Sequence, residues 1–147
     1  MIPYHKAFFF NDERRYIGET YQLFLRCSVR RAGGILQNGE SRRTYLYRGT
    51  TAVLPDGTVH GDTALEQADY IFRKFINLLK EAGANASDVI KIKAYVTDMS
   101  LAKEVGEAYS RYFKEARPLF TMVETPKLNR PSQMVEIELE AFITDEN

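Results

Sequence analysis

The chain changes hydrophobic period partway along, and that change restricts its folds more than any other feature. Leu65, Ala68, Phe72, Phe75, Leu79 and Ala82 recur at alternating steps of three and four, the stripe of an amphipathic helix over about 63–82. Thr63 and Glu66 have capping-box spacing at its start, and Gly83 can end it. The closing stretch, 134–143, has a period of two instead. Val135, Ile137, Leu139, Ala141 and Ile143 share one strand face, while Glu136, Glu138 and Glu140 share the other. A chain holding both periods must lay helices on a sheet.

The remaining elements follow from the same reading. A first strand fits 21–30, with Leu23, Leu25, Cys27 and Val29 on one face, and Asn38-Gly39 is a turn signal after it. A second strand fits 44–54, with Gly49 as a bulge or close-approach point, and closes at Pro55-Asp56-Gly57. Ile90, Ile92, Ala94 and Val96 predict a strand over 89–96, with Lys91 and Lys93 pointing the other way. Asp98 or Ser100 caps a second helix of about 101–115, whose apolar side carries Leu101, Val105, Ala108, Tyr109, Tyr112 and Phe113, and Pro118 prevents its continuation. A short strand over 120–125 and a loop over 126–132 precede the last strand. The order β-β-α-β-α-β-β predicts a two-layer α+β domain, a mixed sheet with two helices on one face, spanning residues 1–147 as a single unit.

The uncovered sheet face then carries aromatic residues, glutamates, lysines and arginines together. That mixture is too polar for a second core and too bulky for a plain solvated face, so assembly with further copies is expected there. Charge does not point to nucleic acid, since 20 basic and 20 acidic residues cancel. Cys27 is the only cysteine, so no internal disulfide or multi-cysteine metal centre can form, and it reads as core packing. His5 and His60 lack metal-ligand spacing, so neither a metal nor a cofactor is expected. The apolar run at Ala7–Phe10 is too short for a membrane span or a signal peptide, which makes the cytoplasm the expected location.

Several motifs resemble the YjgF/RidA family in order and spacing. They are Asp56-Gly57, Glu81-Ala82-Gly83, Asp88-Val89-Ile90-Lys91, Tyr95-Val96-Thr97-Asp98-Met99, Tyr109 with Tyr112-Phe113, Arg117-Pro118 and the run from Val135 to Ala141. The resemblance covers about 43–143, and residues 1–42 are atypical. It implies a chorismate-mutase-like homotrimer with a barrel-like centre and three ligand clefts between subunits. It also implies hydrolysis of reactive enamines or imines such as 2-aminoacrylate, releasing ammonia and a keto acid, although other members are nuclease-like or serve specialised pathways.

By the same resemblance Glu138 matches the glutamate that positions water, and is the candidate catalytic residue. Gly49 matches the glycine of a Ser-Gly-Gln-Ile-Pro segment that here reads Arg48-Gly49-Thr50-Thr51-Ala52, and Thr50 is a candidate ligand donor. The family's carboxylate-binding arginine falls at Phe120, and a frequent cysteine falls at Met122. Phenylalanine supplies apolar area where arginine supplies paired donors, which disfavours an ordinary 2-aminoacrylate deaminase and favours a larger or less charged substrate. Phe120 and Met122 are candidate cleft walls, and Tyr95 borders the cleft or packs between subunits. Arg130 in the loop after Pro126, with Arg26 and Arg30 on the first strand, are candidate replacements for the lost cation.

Three functions follow from this reading. The first is a RidA-like enzyme adding water to, or deaminating, a small imine, enamine or carbonyl metabolite. The second is a non-catalytic small-molecule-binding or scaffold trimer, with Phe120, Met122 and Phe24 forming an apolar pocket. RNA binding or cleavage ranks third, because charge is balanced and no catalytic histidine pair is present, leaving only Arg30-Arg31 and Arg42-Arg43 to attract phosphate.

Overall fold

The computed structural model describes residues 41–145. The first expected strand, with Phe24, Arg26, Cys27 and Arg30, lies outside the described residues. Within them the chain forms strand β1 (Ser41–Thr51), helix α1 (Ala64–Glu81), strand β2 (Val89–Val96), helix α2 (Ala102–Phe113), strand β3 (Leu119–Glu124) and strand β4 (Val135–Asp145). One mixed sheet runs in the order β1-β4-β2-β3. β4 is antiparallel to both β1 and β2, while β2 and β3 are parallel and joined through α2. The parallel pair needs that crossover, because a tight turn cannot connect parallel strands.

Helix α1 forms where the period of three and four begins. Thr63 accepts from the backbone N–H of Glu66, and the Glu66 carboxylate accepts from the Thr63 N–H at 3.1 Å, so both halves of the capping box are made. A second carboxylate supports the same turn, with Glu104 of α2 accepting from Leu65 N–H at 3.0 Å. At the other end Gly83 takes φ +76°, the left-handed conformation that glycine adopts freely. Its N–H donates to Lys80, and the Ala84 N–H reaches back to Leu79 at 2.8 Å, satisfying carbonyls the helix leaves open. The Asp98 side chain accepts from Ser100 N–H at 2.7 Å and caps the short turn that feeds α2.

The core lies between the two helices and one face of the sheet. Phe72, Phe75, Ile71 and Leu79 of α1 and Val105, Ala108 and Phe113 of α2 meet Ile92, Ala94, Val96, Val135, Ile137, Leu139, Ala141 and Ile143. Phe72 and Phe113 meet edge to face at 5.5 Å between ring centroids, a favoured aromatic geometry. The alternation expected for β4 is borne out through Ile143.

The expectation for β2 needs one correction. Ile90 does not join the core: it is 47% exposed, whereas Val89 is 4% exposed. The register against β4 slips between Val89 and Lys91, so the extra residue at Ile90 is extruded and Val89 takes the inward place. Strict alternation cannot foresee a bulge. A second irregularity, between Tyr47 and Thr50, falls where Gly49 is expected to make one.

The connection between β3 and β4 is held by two buried glutamines. Gln67 of α1 donates to the carbonyls of Gly61 (3.1 Å) and Ser132 (2.8 Å) and accepts from the Met134 N–H at 2.9 Å. Gln133 accepts from the Arg130 N–H and donates to Thr51 Oγ1, both at 2.9 Å. These bonds join the loop to α1 and β1 and thereby fix where β4 starts. Gln67→Leu leaves the Met134 N–H and two carbonyls without partners, and is expected to lower stability by about 2 kcal/mol in urea denaturation. An unchanged midpoint would show that the glutamine does not hold the loop.

Candidate functional site

The sheet face turned away from the helices carries three glutamates whose surroundings differ because their cross-strand partners differ. Glu140 lies between Leu46 of β1 and Lys91 of β2 and is ion-paired to Lys91 at 3.2 Å. Glu138 is in register with Lys93, and Glu136 with Tyr95 on one side and Thr51 on the other. Tyr95 leans one row along, and its hydroxyl donates to Glu138 Oε2 at 3.5 Å. Lys93 Nζ sits 4.8 Å from the centroid of the Tyr95 ring, within cation-π range. Tyr95 first, and the Glu138 carboxylate with it, hold the Lys93 ammonium above the ordinary lysine range.

Glycine at position 49 shapes this face. The slip in β1 sets Arg48 and Gly49 together opposite Glu138, and both are exposed. A Cβ placed on Gly49 would fall 1.8 Å from Glu136 Oε1, so the space a side chain would occupy holds the Glu136 carboxyl instead. Burial there pushes the Glu136 pKa up, and the charge of Glu138 pushes it further the same way. Two carboxyls two residues apart therefore sit in unlike environments, one sheltered beside bare backbone and one bonded to a phenol.

The other expected site residues divide by sheet face. Tyr95 joins Glu138. Phe120 and Met122 register with Ile92 and Ala94, on the helix side, and pack against the core. Phe120 stacks on Tyr109 of α2 with centroids 4.6 Å apart and planes 4° from parallel. The Tyr109 hydroxyl donates to the Pro118 carbonyl at 3.3 Å, which ties the stack to the start of β3. Within one chain, Phe120 and Glu138 are thus separated by the sheet. Thr50 Oγ1 donates to the Arg48 carbonyl at 2.9 Å across the bulge. Arg130 lies by the Pro55–Thr58 turn, its Nη2 4.0 Å from the position of a Cβ on Gly57. Among the described residues no three His, Cys, Asp or Glu side chains are grouped to hold a metal ion, and no helix is long and apolar enough to cross a membrane.

The described residues thus form a mixed sheet backed by two helices, with a glutamate-bearing open face and a glycine bulge beside it. The chain belongs to the YjgF/RidA/UK114 family: the family model described as Endoribonuclease L-PSP matches residues 37–143. It is 36% identical over 84 residues to a RutC family protein of Pyrococcus abyssi, covering 57% of this chain and 63% of that one. It is 35% identical over 78 residues to a RutC family protein of Aquifex aeolicus, covering 52% and 62%. The match thus spans less than two thirds of either curated relative. A crystal structure of a YjgF/YER057c/UK114 family member from Mycobacterium tuberculosis superposes with a TM-score of 0.61 at 35% identity, over 68% of this chain and 79% of that one.

The alternation in β4 brings the three glutamates to one face, but it does not distinguish Glu136 from Glu138. Gly49 is the signal available in the sequence, and only the register connects it to Glu136. A carboxyl whose pKa is raised by folding favours the protonated form in the native state. Folding is therefore weakened as pH climbs from the ordinary glutamate range through the raised value. Glu136→Gln is expected to raise the urea midpoint at pH 7 and to lose that advantage below about pH 4. Equal midpoints at both pH values would contradict a sheltered Glu136.

Proposed function

We propose that the protein is a RidA-like enzyme that adds water to a small imine, enamine or related carbonyl metabolite, with Glu138 as the base. The observation that carries this reading is the setting of Glu138. It is held by the Tyr95 hydroxyl, lies in register with the Lys93 cation, and faces a bulge whose glycine leaves backbone exposed. Addition of water to a C=N bond requires a positioned water, a proton acceptor and polar groups near the developing charge. Glu138 is the acceptor, and Tyr95 and Lys93 are polar groups beside it.

Assembly as a homotrimer, with the ligand in a cleft between subunits, completes the reading. Leu46, Leu119 and Phe142 are 46%, 74% and 36% exposed on the open face or its margins, apolar area that a second copy would cover. Phe120, engaged with Tyr109, supplies no donor for a carboxylate, so the preferred substrate is less anionic than 2-aminoacrylate. The exposed apolar residues equally favour a second reading, a trimer that binds a small molecule or serves as a scaffold without turnover. RNA is not favoured, because on the open face Glu136, Glu138 and Glu140 offset Arg48, Lys91 and Lys93 and leave no net positive charge to attract phosphate.

A turnover screen over neutral and carboxylate-bearing imines separates these readings. The wild type is expected to favour neutral substrates, and Glu138→Gln to lower kcat at least about 100-fold while sedimenting as the wild-type trimer. Full turnover in trimeric Glu138→Gln would remove Glu138 from the chemistry, and binding without any turnover in the wild type would favour the scaffold.

A further inference from the structure

Water addition to a C=N bond needs a proton donor as well as a base. The nitrogen must take up a proton when the π electrons move onto it. Resting on the reading above, we infer that Glu136 is the general acid of the same site, paired with Glu138 as base, and that Gly49 keeps open the space in which its carboxyl lies.

Three geometric observations carry the inference. Glu136 and Glu138 share one face of β4, and the β1 bulge opposite Glu138 ends in the glycine against which the Glu136 carboxyl rests. The Glu136 carboxyl therefore rests on the bulge that lies across from Glu138 in the β1–β4 register. Glu138 receives the Tyr95 hydroxyl and has Lys93 as its cross-strand neighbour. Glu136 is half-buried, with no cation in register beside it, since its partners are Tyr95 and Thr51. Among the described side chains the other charged groups on this face are Arg48 on β1, Lys91 on β2 and Glu140 on β4, and Lys91 and Glu140 are paired with each other. Two neighbouring carboxyls in unlike surroundings form the pattern of an acid and base pair.

The reaction closes without a further reactant. Glu138 takes a proton from water as the oxygen bonds to the imine carbon, and the C=N π pair moves to nitrogen, which takes the Glu136 proton. The carbinolamine then collapses. Its nitrogen takes the proton now on Glu138, its hydroxyl proton passes to the Glu136 carboxylate, the C–N bond breaks and ammonia leaves as C=O forms. Both glutamates return to their starting states.

The test combines pH–rate profiles with carboxyl-carbon NMR titration of the wild type, Glu136→Gln, Glu138→Gln and Gly49→Ala, each confirmed to keep the wild-type assembly. The wild type is expected to give a bell-shaped profile, its acid limb following Glu138 and its alkaline limb following Glu136. Glu136→Gln should lower kcat about 100-fold and abolish the alkaline limb, and Gly49→Ala, by displacing the carboxyl, should move that limb to lower pH. In the titration Glu136 should take up its proton at higher pH than Glu138, and Glu138→Gln should bring the Glu136 value down. Unimpaired Glu136→Gln alongside inactive Glu138→Gln would overturn the acid role and leave the water-adding reading intact. A wild type that turns over no imine would overturn both. A Glu136 that titrates with or below Glu138 would refute the pairing whatever the kinetics.

Discussion

The described sheet is organised around β4, an inner strand with β1 on one side and β2 on the other. Its antiparallel pairing to β1 and β2 sets the register of both, and its strict alternation decides which way each row of side chains points. A slip by one residue would bury three glutamates and expose five apolar side chains. The hydrophobic effect therefore specifies this register strongly, at roughly 1.5–3 kcal/mol for each large apolar side chain moved between water and core. Two buried glutamines complete the constraint by fixing the loop from which β4 begins.

The same alternation that builds the core builds the site. Once Val135, Ile137 and Leu139 face the helices, Glu136 and Glu138 must face away. The lysines and tyrosine of β2 stand beside them for the same reason. What makes the face more than a solvated row is the bulge in β1. It sets two residues against one, and one of them is a glycine, so an acidic side chain settles against backbone and loses part of its hydration. Burial and charge then act unequally on neighbouring carboxyls that alternation alone would treat alike.

The position where the family resemblance implies an arginine has a different fate. Phe120 belongs to the helix side and stacks on Tyr109, so the substitution contributes to the seam between α2 and β3. An arginine facing that seam would need a partner for its charge, whereas a phenylalanine satisfies the same place by area alone. The family resemblance puts Glu138 at the family's glutamate and Phe120 at its cation, which accords with the proposed substrate of less negative charge.

Helix α1, its capping box and glycine stop, the alternation of β4 and the turn at Asp56-Gly57 were all legible in the sequence, because each depends on residues within a few positions of one another. So was Gly49 as a point of irregularity. The bulge at Ile90 was not, nor was the side of the sheet on which Phe120 lies, since both depend on pairing between strands distant in sequence. The sequence by itself determined a two-layer domain with an acidic face and an apolar one. Only the tertiary structure decided that Glu136 shelters against Gly49 while Glu138 meets Tyr95. The register between β1, β4 and β2 makes those neighbours, and a carboxyl's protonation is governed by what stands next to it in space.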